Sequence, residues 1–196
     1  MYLNCIEENP LADSLSEKIF ETSRLILRRV EEGDRNLFVR LFCDEDMMRF
    51  LGGTWAVDLT EETLKEWREE WGKQNYYYGV IQLIGEGTAV GIAGFTEDTN
   101  PDEPGLEFSW FVLPEHQQRG YASEITGGMM TYVFEVLKKE RLFAETHPDN
   151  NASNRVLEKL GFKNAGERQH QYDSLPGFER QVLWEIHSAD WQNLKK

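Results

Sequence analysis

The sequence is organised around GLEFSWFVLPEHQQRGYASEITGG, residues 105–128. Residues 105–113 are rich in aromatic and aliphatic side chains and are followed by Pro114, a pattern that predicts a strand. Residues 114–119 predict a short polar connection, and from about Gly120 the apolar residues recur at helical spacing. The stretch therefore predicts a strand, a turn that contains a glycine, and a helix.

The predicted turn is suited to holding an anion. The first N–H groups of a helix have no partner within the helix and lie at the positive end of its dipole. Gly120 lets the backbone approach a ligand closely, Ala122 adds little bulk, and Arg119 adds a positive charge. A pyrophosphate would suit such a site, although the same pattern also fits an ordinary strand-to-helix turn.

Composition and charge indicate one acidic globular domain. The chain has 196 residues, of which 40% are hydrophobic and 12% aromatic, which is enough for one sizeable core and too apolar for a disordered chain. The net charge of −14 argues against binding to nucleic acid or to an anionic membrane, because both need a cationic surface. It permits a cationic acceptor, although it is also typical of a surface that serves solubility.

Cysteine and apolar patterning exclude further classes of protein. Cys5 and Cys43 are far apart, and no histidines cluster, so we expect neither a disulfide framework nor a metal site. No apolar run approaches 18 residues, and the first 20 residues are acidic instead of carrying a cationic leader. We therefore expect no membrane span and no signal peptide, and we predict a cytoplasmic location.

Periodicity predicts one mixed α/β domain at residues 22–190, preceded by an N-terminal appendage at residues 1–21 with a short helix at 11–20. The predicted order is β-α-α-β-β-β-α-β-α-β-β. The expected strands are 24–30, 76–84, 88–96, 105–113, 141–146, 162–170 and 179–186, and the expected helices are 34–43, 47–51, one from 60, one from 120 to near 139, and 152–160. An acidic loop is expected at 97–104 and a turn at 174–177.

Two motifs and one strand carry a resemblance to a known family. QQRGYA, residues 117–122, resembles the Q/R-x-x-G-x-G/A signature of the GCN5-related N-acetyltransferases (GNAT). NNASNRVLEKLGF, residues 150–162, resembles their N-x-x-S-x-x-x-L-x-K-x-G-F segment, most closely that of the subgroup with the ribosomal-protein N-terminal acetyltransferases. ETSRLILRRV, residues 21–30, is similar to the first strand of that subgroup. The resemblance covers residues 21–186.

The resemblance implies a fold and a co-substrate. It implies a single GNAT-like domain with a central, mostly antiparallel twisted sheet of about seven strands, flanked by helices. It also implies that the strand at 107–113 splays from its neighbour, so that backbone groups near Phe111, Val112 and Leu113 bind the pantetheine arm and thioester oxygen of acetyl-CoA. With the loop that wraps the pyrophosphate, the expected acetyl-CoA-binding residues are Phe111, Val112, Leu113, Gln117, Gln118, Arg119, Gly120, Tyr121, Ala122, Ser123, Asn150 and Ser153.

Acetyl transfer to an amine needs a base, because an alkylammonium is almost fully protonated at neutral pH. Glu107 is the preferred candidate, since it lies in an otherwise apolar strand; the alternative is a glutamate on a solvated face, and Glu145 and His147 are rivals. For the acid, the resemblance offers no tyrosine in the matching segment and points to Ser153, whose alternative role is to cap the first turn of its helix. Asn150 either orients the pantetheine or is a turn residue.

The sequence thus predicts an acetyl-CoA-dependent N-acetyltransferase that transfers the acetyl group to a primary amine by direct attack in a ternary complex. Neither cysteine lies near the motifs, which argues against a thiol intermediate. The amine is either a protein N-terminus or a small molecule, and the protein is expected to be a monomer or a homodimer without nucleic acid, membrane or metal. The alternatives are a non-catalytic acyl-CoA sensor and a transferase of a longer acyl group.

Overall fold

The computed structural model describes residues 18–69, 78–97, 104–169 and 180–195. Within these residues, eight strands form one sheet in the order β1-β2-β3-β4-β5-β6-β8-β7. The strands are β1 (Lys18–Glu21), β2 (Leu25–Arg28), β3 (Gly79–Leu83), β4 (Ala89–Glu97), β5 (Leu106–Val112), β6 (Arg141–Thr146), β7 (Lys163–Gln169) and β8 (Arg180–His187). The helices are α1 (Arg35–Phe42), α2 (Glu45–Met48), α3 (Val57–Glu69), α4 (Tyr121–Thr131), α5 (Asn151–Lys159) and α6 (Ser188–Leu194).

Neighbouring strands of this sheet run antiparallel, with the exception of β5 and β6, which are parallel. Parallel neighbours cannot be joined by a hairpin, and α4 supplies the crossover between them. The predicted strand, glycine turn and helix are therefore confirmed as β5, the turn at Gly120 and α4. The mixed α/β class and the mostly antiparallel sheet are confirmed as well.

Each face of the sheet has its own hydrophobic core, because side chains of a strand alternate between the faces. Leu106, Phe108 and Val112 of β5 pack with α4 in one core. Phe111 and the following Leu113 belong to the other core, with α1 and α3. The residues that share a face with Phe111 are thus the odd-numbered ones, as the alternation of the sequence predicts.

The number of strands corrects the prediction of about seven. Residues 18–21, which we expected partly in a helix and outside the domain, pair antiparallel with β2, for example Phe20 with Leu27. Pairing at the edge of the sheet outweighs the helical spacing of a few apolar side chains. Residues 1–17, with the rest of the predicted helix at 11–20, lie outside the described residues.

Several predicted boundaries are wrong. Helix α3 begins at Val57 instead of Thr60, whose buried hydroxyl donates to Ala56 O at 3.0 Å inside the helix. Helix α4 passes at Thr131 into a π-helical segment, Tyr132–Val136, instead of running to about 139. Helix α6 was not expected. Most of the loop at 97–104 and the turn at 174–177 lie outside the described residues.

Adjacent glycines of α4 differ in what a side chain would contact. A Cβ on Gly128 would lie 2.5 Å from Cε2 of Phe20 and 2.9 Å from Cγ2 of Thr22, whereas a Cβ on Gly127 meets nothing within 4 Å. We predict that Gly127→Ala stabilises the protein by up to about 1 kcal/mol, because alanine favours the helix. Gly128→Ala should destabilise it by about 1–3 kcal/mol through overpacking against β1. Urea unfolding of the two variants measures the contrast, and equal shifts of the same sign would contradict it.

Candidate active site

Strands β5 and β6 pair at their first residues and then part. Leu106 is opposite Leu142 and Glu107 is opposite Phe143, yet β5 continues to Val112 and β6 to Thr146. A cavity of about 500 Å³ opens where the strands separate. The splay implied by the family resemblance is thus confirmed. The residues of these two strands that line the cavity are Phe108, Ser109, Trp110, Phe111, Val112, Ala144, Glu145 and Thr146.

The open edge of β5 presents the backbone of Val112 to the cavity. The N–H of Leu113 donates to Val90 O at 2.9 Å, so Leu113 is paired towards β4. Because backbone groups of a strand alternate in direction, Val112 and Trp110 face the side from which β6 has withdrawn. Leu113 is 2% exposed and does not line the cavity, whereas Trp110, which the sequence did not single out, does.

A polar network holds the end of β6 away from β5. The hydroxyl of Thr146 donates to Asn154 Oδ1 at 2.6 Å and accepts from Trp184 Nε1 at 3.1 Å. Asn154 in turn donates through Nδ2 to Pro148 O at 3.0 Å. These bonds tie β6 to α5 and to β8, and β6 pairs with β8 along its whole length. The strand is therefore held on the side opposite to the cavity.

The turn before α4 has the geometry of an anion site. Gln118 and Gly120 both have positive φ, 58° and 82°, and no side chain caps the helix that starts after Gly120. The N–H groups of the first turn are consequently available to a ligand. Within the predicted loop, Arg119 does not line the cavity. Residues Gln117, Gln118, Gly120, Tyr121, Ala122 and Ser123 do.

Gln117 has a structural contact as well as a place in the lining. Its Nε2 donates to Val112 O at 2.9 Å and lies 3.7 Å from Met47 Sδ. The side chain therefore bridges the loop, the open edge of β5 and helix α2. This contact occupies the Val112 carbonyl and leaves the orientation of the Val112 N–H towards the cavity unchanged.

The three candidate bases differ in whether they line the cavity. Glu107 is at the closed end, where β5 and β6 still pair, and is not part of the lining. Glu145 and His147 line the cavity directly. Oε1 of Glu145 accepts from Arg168 Nη1 at 3.0 Å, and Nδ1 of His147 accepts from the Asp149 N–H at 3.1 Å.

Asn150 and Ser153 both line the cavity, and one of them caps helix α5. Asn150 is the N-cap of α5, and its Oδ1 accepts from the Ser153 N–H at 3.2 Å. The alternative reading of Ser153 as the cap is therefore wrong, because Asn150 takes that position. Ser153 thus belongs to the lining, and its backbone N–H is capped by the side-chain oxygen of Asn150.

Helix α2 and the residues after it form a wall of the cavity that the sequence did not reveal. The ring of Phe50 stacks on His147 at 5.2 Å between centroids, with an interplanar angle of 26°. Leu51, next to Phe50, is 49% exposed, and no short-range pattern in the sequence marks these residues as part of a site. The wall consists of Asp46, Met47, Arg49, Phe50 and Leu51.

Residues 24–163 match the acetyltransferase (GNAT) domain family. The chain belongs to the GNAT acetyltransferases. It is an acyltransferase of that family. Membership in the ribosomal-protein subgroup stays a prediction.

Similar proteins, some of them with solved structures, match most of the length of this acetyltransferase. It is 29% identical to the uncharacterised N-acetyltransferase YoaA of Bacillus subtilis, over 84% of this chain and 94% of that protein. A GNAT-family acetyltransferase from Bacillus anthracis has a TM-score of 0.73 at 24% identity, covering 86% of this chain and 98% of the other. Spermidine N-acetyltransferase from Vibrio cholerae, solved with CoA and spermine, has a TM-score of 0.72 at 20% identity, covering 87% and 99%.

Two further observations concern a membrane-spanning helix and a metal site. Across the described residues, no helix is both long and apolar enough to cross a membrane. The same residues bring no three histidine, cysteine or carboxylate side chains together as a metal site. A cytoplasmic location, the absence of a metal and a monomeric or homodimeric state stay predictions.

Gly120 offers a direct test of the anion site. Gly120→Val places a β-branched side chain at a φ of 82°, next to the N–H groups of the first turn. We predict that acetyl-CoA binds at least about tenfold more weakly, a loss of roughly 1.4 kcal/mol. Calorimetry measures the affinity, with Gly127→Ala as the control on the same helix. Unchanged affinity in a folded Gly120→Val variant would contradict the assignment.

Proposed function

We propose that this protein is an acetyl-CoA-dependent N-acetyltransferase that transfers the acetyl group to a primary amine by direct attack in a ternary complex. The observation that carries the proposal is the cavity between β5 and β6, which opens onto the uncapped start of α4. A ligand that fits there needs an extended, amide-containing arm joined to an anionic group. Acetyl-CoA has both parts.

The donor would use backbone groups more than side chains. Its pantetheine arm would lie along the open edge of β5 and pair with Val112 and Trp110, as an added peptide strand would. Its pyrophosphate would accept from the N–H groups at the start of α4, where the helix dipole favours negative charge. Gly120 has no side chain and Ala122 only a methyl group, which leaves room where the pantetheine arm would join the pyrophosphate.

The reaction needs only proton transfers from the protein. A base first takes one proton from the alkylammonium. The neutral amine nitrogen then attacks the carbonyl carbon of the thioester, the C–N bond forms as the C–S bond breaks, and CoA leaves as the thiolate. The nitrogen loses its second proton to solvent as the amide forms, and the thiolate takes a proton from solvent or from Ser153, which solvent then reprotonates. Cys43 does not line the cavity, which supports direct attack over a thiol intermediate.

We propose Glu107 as the base, acting through a water because it lies just beyond the lining. Glu107→Gln should lower kcat by about 10²-fold, leave acetyl-CoA affinity nearly intact and remove the acidic limb of the pH–rate profile. Glu145→Gln and His147→Gln test the rivals in the same assay, with Glu135→Gln as a surface control. If the acidic limb survives in Glu107→Gln and disappears in a rival variant, the role belongs to that rival.

For the acceptor, we propose a cationic amine. The net charge of −14 attracts cations, and the V. cholerae structure with the same fold holds spermine together with CoA. The lining includes the acidic residues Asp46 and Glu145, of which Glu145 is already paired with Arg168. These observations favour a polyamine or a basic peptide N-terminus, which carry further positive charge, over an amine with an uncharged tail.

A panel of amines at two salt concentrations tests this acceptor class. With acetyl-CoA as donor, release of CoA is measured for spermine, butylamine and a basic peptide with an unblocked N-terminus. The KM for spermine should rise with salt, because exposed charges are screened over about 8 Å at physiological ionic strength, while the KM for butylamine barely changes. A better rate with butylamine, or a spermine KM that does not change with salt, would contradict a preference for acceptors that carry more than one positive charge.

A further inference from the structure

The carboxylate of Glu124, in the first turn of α4, is directed at the turn between β1 and β2. Its Oε1 accepts from Thr22 Oγ1 at 2.7 Å, Ser23 Oγ at 2.9 Å and the Arg24 N–H at 2.8 Å. Its Oε2 accepts from Arg24 Nε at 2.6 Å and pairs with Nη2 at the same distance. Burial works to raise the pKa of Glu124, but these hydrogen bonds outweigh it and hold the pKa below its usual value.

The guanidinium of Arg24 reaches from this carboxylate to the turn that would bind the pyrophosphate. Nη1 donates to Arg119 O at 3.2 Å, and Cζ lies 4.8 Å from the centre of the Tyr121 ring. A Cβ on Gly120 would be 3.5 Å from Nη2. One side chain therefore contacts the residues before and after the N-cap of α4 and occupies the space beside the N-cap itself.

The bond to Arg119 O determines which way the next N–H points. In a trans peptide the C=O of one residue and the N–H of the next point in opposite directions. Arg24 holds the Arg119 carbonyl on its own side, so the Gly120 N–H is directed to the opposite side. Gln118 and Gly120 have positive φ values, and for a glutamine a φ of 58° costs free energy. The backbone of this turn is therefore held by contacts from outside the turn, and the bond from Arg24 to Arg119 O is one of them.

Arg24 also compensates a charge that would oppose the donor. Glu124 places a negative carboxylate one turn from the proposed pyrophosphate. The ion pair with Arg24 neutralises it, and the five contacts use the carboxylate oxygens on the side of the β1–β2 turn. Without Arg24, both the carbonyl of Arg119 and the charge of Glu124 would act against an anion.

We propose that Arg24, held by Glu124, is a positioning residue for the phosphate-binding turn, which sets the Arg119–Gly120 peptide so that its N–H faces the pyrophosphate of the acyl donor. This rests on the proposed function. The role is specific to the nucleotide end of the donor, so it predicts a dependence on that end which a surface ion pair that only stabilises the fold would not produce.

The experiment compares acetyl-CoA with S-acetylpantetheine, which keeps the thioester and the arm but lacks the pyrophosphate. For Arg24→Gln and for Glu124→Gln, kcat/KM with acetyl-CoA should fall about tenfold or more, mainly through KM, while kcat/KM with S-acetylpantetheine changes by less than about twofold. Arg24→Lys keeps the charge, but one ammonium cannot bond Glu124 and Arg119 O as the planar fork does, so it should behave like Arg24→Gln.

The control is Arg35→Gln, which removes an exposed ion pair between α1 and Glu61 of α3 and should leave both donors unaffected. The acceptor is the amine that the wild-type protein acetylates best, and thermal unfolding establishes that each variant is folded. Equal losses with both donors, no loss with either, or full activity of Arg24→Lys would each overturn the positioning role. A wild-type protein that transfers no acetyl group from acetyl-CoA to any amine would overturn the proposed function itself.

Discussion

Backbone groups of β5 lose their strand partner in the middle of a sheet, and the site depends on this loss. An N–H or C=O that is withdrawn from water without a partner costs about as much as a lost hydrogen bond, so such an edge is rare inside a protein. Here the edge is kept because β6 is held from its other side by β8 and by the bonds of Thr146 to Asn154 and Trp184. The resulting gap leaves room for the proposed ligand, whose amide arm would pair like a strand.

The same constraint explains the position of α4. Since β5 and β6 are parallel, the chain must cross over the sheet between them, and the crossover helix starts beside the end of β5. Its uncapped N–H groups and the open edge of β5 therefore line one cavity. An open strand edge and an uncapped helix start lie side by side as a result of topology, and the proposed donor, with its amide arm and pyrophosphate, would match both.

The sequence predicted what short-range patterns can encode. Period-two alternation in β5, the glycine turn and the order of the elements were recoverable from local spacing. The position of Glu107 was not, because alternation assigns a face to the side chain but does not tell where β6 leaves β5. The contact between Arg24 and Glu124 was equally hidden, since it joins residues 100 positions apart that no periodicity relates. Similarly, the edge strand β1 depends on pairing with β2 and not on the helical spacing of its own residues.

The short pairing between β5 and β6 divides the sheet into two blocks. Strands β1 to β5 form one block and β6 to β8 the other. Among the residues that the structure describes, two residue pairs join the blocks within the sheet, Leu106 with Leu142 and Glu107 with Phe143. Proteins open locally where few bonds cross a boundary, so we expect the two blocks to separate transiently and expose backbone amides to hydrogen exchange. A donor that lies in the gap binds only the closed form and raises the free energy of opening. Amides in β7, remote from the donor, would then exchange more slowly because β5 and β6 separate less often.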